Sequence, residues 1–238
     1  MTIELRHLTS EEIEALDRRL PVILPLGIVE AHGPHLSVSV DMDTADYFAR
    51  AITDETGAIL APSFNYGFAD EMREYPGTFG LRPHTLSAAM SDLIENFCFH
   101  GFDRIIILSG HGANKMPCEM AFWKVWETYP DARLAYWNWW TEAGIQGIHH
   151  ADEGETQVAA VVGSRYYPER AVDFKINKPW YKLRSRHAIN PRSGGINGAP
   201  TKTDLAKGEE ARKQVIDVLS SRVRKIMDDE RAARNDEA

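Results

Sequence analysis

The chain has 238 residues, of which 43% are hydrophobic, and this is enough for one large α/β domain with a substantial core. Asp and Glu (35) outnumber Lys and Arg (27), so the formal net charge is −8, which argues against nonspecific nucleic-acid binding. The 2 cysteines make no disulfide framework, and no stretch resembles a signal peptide or approaches the ~18–20 apolar residues of a membrane span. We therefore expect a cytoplasmic protein without nucleic-acid or membrane partners. It should form a single domain over residues 1–238, with a frayed tail at about residues 228–238.

Buried strands alternate with amphipathic helices along the chain. A possible capping box at Thr9 and Glu12 begins a short first helix. Apolar runs predict strands at residues 22–26, 58–61, 104–108 and 132–137. Helical periodicity predicts helices at residues 44–56, 86–99, 115–129, 155–166 and 204–227, and residues 173–203 are expected to be an irregular excursion near the site or at a subunit contact. This alternation predicts a three-layer α/β fold, with a mostly parallel sheet covered by helices on both faces.

Four side chains that can bind a metal follow the first predicted strand, namely Glu30, His32, His35 and Asp41. Glu30 and His32 are two residues apart, which places both side chains on one face of an extended segment. Asp41 lies nine residues further on, so a loop must bring it back. For a single residue, a solvated carboxylate or a hydrogen-bonded loop histidine is an equally good interpretation. The four together favour a site for zinc, manganese or iron.

Two more clusters follow the third and fourth predicted strands. His111 lies between two glycines, which allow the backbone to turn sharply beside a ligand. The segment 149–156 carries two histidines and three carboxylates, although at least one carboxylate is expected to cap the helix that begins there. Loops at the carboxyl ends of parallel strands share one edge of the sheet, so the three clusters can converge into one site.

Three tryptophans lie between the second and third clusters. For Trp137, inside the predicted strand, we favour core packing. Trp139 and Trp140 follow the strand, where an indole can either line a pocket or pack in the core. Both alternatives stay open, and we treat Trp139 and Trp140 as candidate substrate contacts.

The motifs at residues 24–41, 66–67, 75–78, 109–114 and 150–157 resemble, in the same order, those of the creatininase (creatinine amidohydrolase) family. The resemblance covers roughly residues 20–165. It implies a metal-dependent hydrolase with a layered α/β fold, commonly a homohexamer, that uses one or two zinc, manganese or iron ions per subunit. It also implies His150 as the proton-transferring residue, Asp41 as a bridge if two ions bind, and these metal ligands: Glu30, His32, Asp41, His111 and, as a ligand or a neighbour of one, Glu155.

Several positions depart from the family pattern. Creatininase has a glutamate ligand two residues after the histidine that matches His111, whereas this chain has Ala113. A second metal site is therefore either rebuilt with Glu155 or weak. Met72 stands where many relatives have a histidine, and we treat it as a candidate substrate contact. His35 lies beside the ligands in the family pattern, so we expect it behind them or facing the substrate.

The resemblance implies that metal-bound hydroxide attacks a carbonyl of a small cyclic substrate, while His150 passes a proton to the leaving group. A cyclic amide is the first expectation, and the departures argue against creatinine itself. The alternatives are hydrolysis of a C–C bond in an oxidised cyclitol or cyclic diketone, trimming of a peptide, and noncatalytic metal binding.

Overall fold

A parallel β-sheet forms the centre of the molecule in a computed structural model that describes residues 2–69, 71–175 and 193–235. All pairs between its named strands are parallel, in the order β1-β3-β2-β4-β5. The strands are β1 Ile3–Glu4, β2 Val22–Leu26, β3 Ile59–Leu60, β4 Arg104–Ser109 and β5 Arg133–Asn138. The two central strands are buried along their whole length, which is why they read as continuous apolar runs.

Helices cover both faces of the sheet. They are α1 Ser10–Glu14, α2 Val40–Thr56, α3 Pro83–Phe99, α4 Lys115–Thr128, α5 Trp139–Glu142, α6 Glu153–Val161 and α7 Leu205–Asn235. Helices α3 and α4 pack on one face through residues such as Met90 and Phe122, whereas α2, α6 and α7 pack on the other through residues such as Phe48 and Leu219. The predicted three-layer α/β fold is therefore confirmed. No helix in the described part of the chain is both long and apolar enough to cross a lipid bilayer.

Several element boundaries differ from the sequence prediction. Helix α2 begins at Val40 rather than at residue 44, so Asp41 lies in its first turn and not in the preceding loop. Helix α6 begins and ends earlier than predicted, because Asp152 caps its start and Gly163, with a φ of 104°, follows its end. Helix α7 continues beyond residue 227 to Asn235, and residues 236–238 of the predicted frayed tail lie outside the described residues.

One further difference lies at the edge of the sheet. Strand β1 was not predicted, because its 2 residues are too few to show a periodic pattern. Thr9 and Glu12 do form the predicted capping box at the start of α1. Within the predicted irregular excursion, residues 176–192 lie outside the described residues.

The strand order decides where the chemical side chains meet. Strand β4 lies between β2 and β5, so the segments that leave these three strands are neighbours at one edge of the sheet. These segments carry the three predicted clusters, which the structure does bring together.

Candidate metal centre

Three overlapping sets of three potential ligand atoms meet at this edge of the sheet. Two of them share Asp41, and the third consists of Glu30, His32 and His150. In the first set, His111 Nδ1 lies 3.2 Å from Glu30 Oε2 and 3.3 Å from Asp41 Oδ2. In the second set, His32 Nε2 lies 3.5 Å from Asp41 Oδ1 and 3.4 Å from Glu155 Oε2. Within each set the ligand atoms lie no more than 4.8 Å apart, as they would around a single ion. Asp41 thus turns one carboxylate oxygen to each of these two sets, so it would be able to hold an ion in both.

Close backbone packing places Asp41 between the two sets. A Cβ atom on Gly110, just after β4, would lie only 2.1 Å from the carbonyl oxygen of Asp41. Only glycine therefore lets the end of β4 come this close to the first turn of α2. On the opposite side, Glu30 is held by a 3.0 Å hydrogen bond from its own N–H to the carbonyl of Val38.

Each histidine of the centre gives one ring N–H to a backbone carbonyl. Because a carbonyl oxygen only accepts, His32 donates from Nδ1 to Glu30 O at 3.0 Å, and His111 donates from Nε2 to Phe68 O at 3.2 Å. His150 donates from Nε2 to Ala31 O at 2.8 Å. The other ring nitrogen of each histidine then faces the carboxylates, which is how metal-binding imidazoles are usually oriented.

Glu155 is oriented by the backbone rather than by another side chain. Its Oε2 accepts a 2.6 Å hydrogen bond from the N–H of Ala151. Ala151 has a φ of 50°, in the left-handed region that few non-glycine residues adopt. This unusual conformation directs the amide toward Glu155, and no pattern in the sequence marks Ala151 for this position.

Buried polar atoms show that these residues fit a divalent cation. Both carboxylate oxygens of Glu30, Nε2 of His32 and Oδ2 of Asp41 are buried and find no hydrogen-bond partner among the described residues. Buried charges and polar atoms are costly unless they are paired or bind a metal. A cation between them would satisfy all of these atoms, and mixed carboxylate and imidazole ligands suit zinc, manganese or iron.

The pKa shifts report the same concentration of negative charge. Burial alone would lower the pKa of His32, but Glu155 and Asp41 outweigh it and raise that pKa well above its usual value. Burial likewise opposes protonation of His111, and Glu30 and Asp41 raise its pKa. The same carboxylates that favour a proton on each imidazole would favour a metal ion in its place.

A small cavity of about 230 Å³ opens onto the centre. Met72, Trp140 and Ile148 form its apolar wall, and His149 and His150 line it as well. The side chain of His150 is 22% exposed, compared with 0% for His32, so His150 is the more accessible of the two. Met72 and Trp140 thus stand where substrate contacts were expected, and their contact with a substrate stays a prediction.

The expectation that Trp139 faces the substrate is wrong for this cavity. Trp139 is fully buried, and its ring centroid lies 5.4 Å from that of Phe48 on α2. As the first residue of α5 it turns back onto the core, so packing is the correct alternative.

His35 also stays away from the cavity. It is fully buried, and its Nε2 lies 3.0 Å from Oγ1 of Thr156, the residue after Glu155. Burial, with the neighbouring His32, lowers the pKa of His35 to about 4, so the imidazole is neutral at pH 7. Of the two expectations for His35, the position behind the ligands is the one that the structure supports.

The segment at residues 193–197 lies along one side of the centre, as one of the two expectations for residues 173–203 had it. The N–H of Gly33 donates to Gly194 O at 3.0 Å, and the N–H of Asn197 donates to His150 O at 2.9 Å. A Cβ on Gly195 would lie 2.7 Å from Cε of Met72 and 3.3 Å from Nε2 of His150. The paired glycines were the available signal, because their φ values of 58° and 94° allow this close passage.

Fold and site together define a class of protein: a three-layer α/β domain with a cluster of carboxylates and imidazoles at the carboxyl ends of a parallel sheet. A family model described as creatinine amidohydrolase matches residues 6–223. The chain therefore belongs to the creatininase family, whose members are hydrolases, and it is a hydrolase of that family.

Three curated relatives show the range of activities in the family. A creatinine amidohydrolase of Pseudomonas putida is 29% identical over 100 residues, which is 40% of this chain and 38% of that enzyme. A mycofactocin precursor peptide peptidase of Mycobacterium ulcerans is 26% identical, with 85% of this chain and 84% of the relative covered. A 3-dehydro-scyllo-inosose hydrolase of Thermotoga maritima is 24% identical, with 87% of this chain and 78% of the relative covered.

Solved creatininase structures share the fold. One crystal structure of creatinine amidohydrolase matches with a TM-score of 0.83 at 22% identity, covering 93% of this chain and 96% of that one. Two further creatininase structures are described as a Zn-Zn type and as an Mn form. Their TM-scores are 0.84 and 0.79 at 21% identity, and each covers 94% of this chain and 98% of the other.

Proposed function

We propose that this chain is a hydrolase dependent on two divalent metal ions, which opens a small cyclic substrate by adding water to a carbonyl. The observation that carries this proposal is the bridging position of Asp41, with one oxygen turned to each set of ligand atoms. A cyclic amide is the first candidate substrate.

The described residues would hold one ion with Glu30, Asp41 and His111, and the other with His32, Asp41 and Glu155. Glu155 then supplies the carboxylate that the alanine at position 113 lacks. Zinc and manganese are the metals to test first, because the ligand types suit both and solved creatininases are described with each.

When bound, the ions would polarise the carbonyl and promote loss of a proton from water near neutral pH. His150 keeps its Nε2–H on the carbonyl of Ala31, which leaves Nδ1 to receive that proton. Nδ1 then gives the proton to the leaving nitrogen as the C–N bond breaks. The product is one open-chain molecule that carries both the new carboxylic acid and the new amine, so one water is consumed for each ring opened.

The size of the cavity supports a small substrate. At about 230 Å³, it lies below the ~300–1,000 Å³ of sites for drug-sized ligands. Its apolar wall includes Trp140, whose indole offers a flat surface for a ring. A substrate with a single small ring fits this space better than an extended peptide does, which argues against peptide trimming.

Cleavage of a C–C bond in a cyclic ketone is the second candidate function. The Thermotoga maritima relative named as an inosose hydrolase aligns with 87% of this chain. The same centre can polarise a ketone, and Nδ1 of His150 would then protonate a leaving carbon instead of a nitrogen. A noncatalytic metal protein would need a closed ligand shell, whereas the cavity here reaches the ligands.

The test is metal analysis of the purified protein, followed by a hydrolysis screen of cyclic amides against cyclic diketones with the zinc and manganese forms. We expect two ions per chain and turnover of at least one cyclic amide. Turnover of diketones alone would favour the second candidate, and a protein without bound metal would contradict both. The homohexamer and the cytoplasmic location stay predictions, and sizing the purified protein would check the first.

A further inference from the structure

A relay of hydrogen bonds that starts at Asn114 holds the imidazole of His111. Asn114 is fully buried just before α4, and its Oδ1 accepts the N–H of Phe68 at 2.8 Å. The carbonyl of Phe68 accepts the Nε2–H of His111 at 3.2 Å. The side-chain amide of Asn114 also donates to Oγ of Ser109 at 3.2 Å. One side chain therefore ties the loop of Phe68 to the turn that carries His111.

The close fit around Asn114 requires a glycine in that loop. A Cβ on Gly67 would lie 2.5 Å from Oδ1 and 2.8 Å from Nδ2 of Asn114. The loop can reach the amide only because Gly67 has no side chain.

The relay selects which nitrogen of His111 faces the ligand set. With Nε2–H committed to the Phe68 carbonyl, Nδ1 is directed at Glu30 and Asp41. Groups that orient a metal-binding histidine in this way typically change metal affinity by about 10–100-fold when they are removed. The second set has no such dependence on Asn114, because His32 is oriented by the carbonyl of Glu30.

We propose that Asn114 is a positioning residue for the ion held by Glu30, Asp41 and His111, and that it acts through the Phe68 carbonyl. It does not act on the ion held by His32, Asp41 and Glu155. This role rests on the two-ion centre proposed above.

The test is a zinc titration against a competing fluorescent chelator, with the parent protein, Asn114→Ala and Tyr136→Phe. Tyr136 is the matched control, since its hydroxyl donates at 2.8 Å to the backbone carbonyl of His111, whereas the relay acts on the ring. We expect two zinc ions in the parent and in Tyr136→Phe. In Asn114→Ala, one ion should bind about 10–100-fold more weakly, while the other keeps its affinity.

If both zinc dissociation constants are unchanged in Asn114→Ala, the role of Asn114 is overturned but the two-ion centre is not. An equal loss of zinc affinity in Tyr136→Phe would also overturn the role of Asn114 alone. A parent that binds no zinc would overturn the two-ion centre and this role with it. If Asn114→Ala does not fold, Asn114→Ser replaces it, because the shorter serine hydroxyl falls short of Phe68 and should weaken the same ion. When His111→Ala is already present, either substitution at Asn114 should leave the dissociation constant of the remaining zinc ion unchanged. A further loss of zinc affinity would contradict the relay.

Discussion

At the scale of single residues, we expect replacement of His150 to impair proton transfer without removing the bound metal. Its Nδ1 lies 3.6 Å from Glu30 Oε2, and its side chain lines the cavity and is more accessible than that of His32. We expect His150→Ala to keep the parent metal content and to lower kcat by about 10²–10⁴-fold, because positioned acid–base groups contribute that much. Metal analysis and steady-state kinetics on the same preparation measure both quantities.

The matched control is His84→Ala, which removes an exposed histidine on α3 that does not line the cavity. It should change neither quantity. Loss of metal in His150→Ala would instead make His150 a ligand, in the group of potential ligand atoms that it forms with Glu30 and His32.

The residue types of the centre could be predicted from the sequence, because three ligand-rich segments follow strands that are neighbours in a parallel sheet. The orientation of each side chain could not. Trp139 and Trp140 are adjacent in sequence, and only the packing of α5 onto the core decides that Trp139 is buried and Trp140 lines the cavity. The backbone carbonyls that hold the histidines likewise depend on loop conformations that leave no pattern in the sequence.

At the scale of elements, we expect any side chain at position 110 to disrupt the contact between the end of β4 and the first turn of α2. We expect Gly110→Ala to lower the free energy of unfolding by roughly 1–3 kcal/mol, as overpacking of a close contact does. The physical reason is that the new Cβ would meet the carbonyl of Asp41 at 2.1 Å, so backbone must move. Urea denaturation of the metal-free protein measures the change.

Gly112→Ala is the control for this contact, since its Cβ would meet nothing closer than Cζ2 of Trp140 at 3.7 Å. It should alter the free energy of unfolding less than Gly110→Ala does. Equal destabilisation by the two substitutions would show that the turn as a whole, and not the contact with α2, is sensitive.

Whether a segment forms a helix or a strand was easier to predict than the residues at which it begins and ends. The apolar stripe of α2 was visible from residue 45, whereas its first turn carries Asp41 and Asp43, which do not show helical periodicity. Strand β1 is identified only by its pairing with β3, because a segment of 2 residues is too short to show an alternating pattern. Pairing across the chain, rather than local pattern, defines such elements.

At the scale of the whole molecule, metal should stabilise the fold, because it binds buried carboxylates that the unfolded chain exposes to water. At free zinc 100 times the dissociation constant, the gain is about 2.7 kcal/mol per site. We expect the Tm to rise on zinc addition and to fall after a chelator. Magnesium is the control, and it should have a smaller effect because imidazole ligands do not suit it. A Tm that zinc does not move would argue against a site in the folded core.

The most direct test of the two-ion centre is anomalous diffraction from crystals grown with zinc. The bridging position of Asp41 predicts two peaks, one among Glu30, Asp41 and His111 and the other among His32, Asp41 and Glu155. A single peak, or peaks that do not share Asp41, would contradict the account.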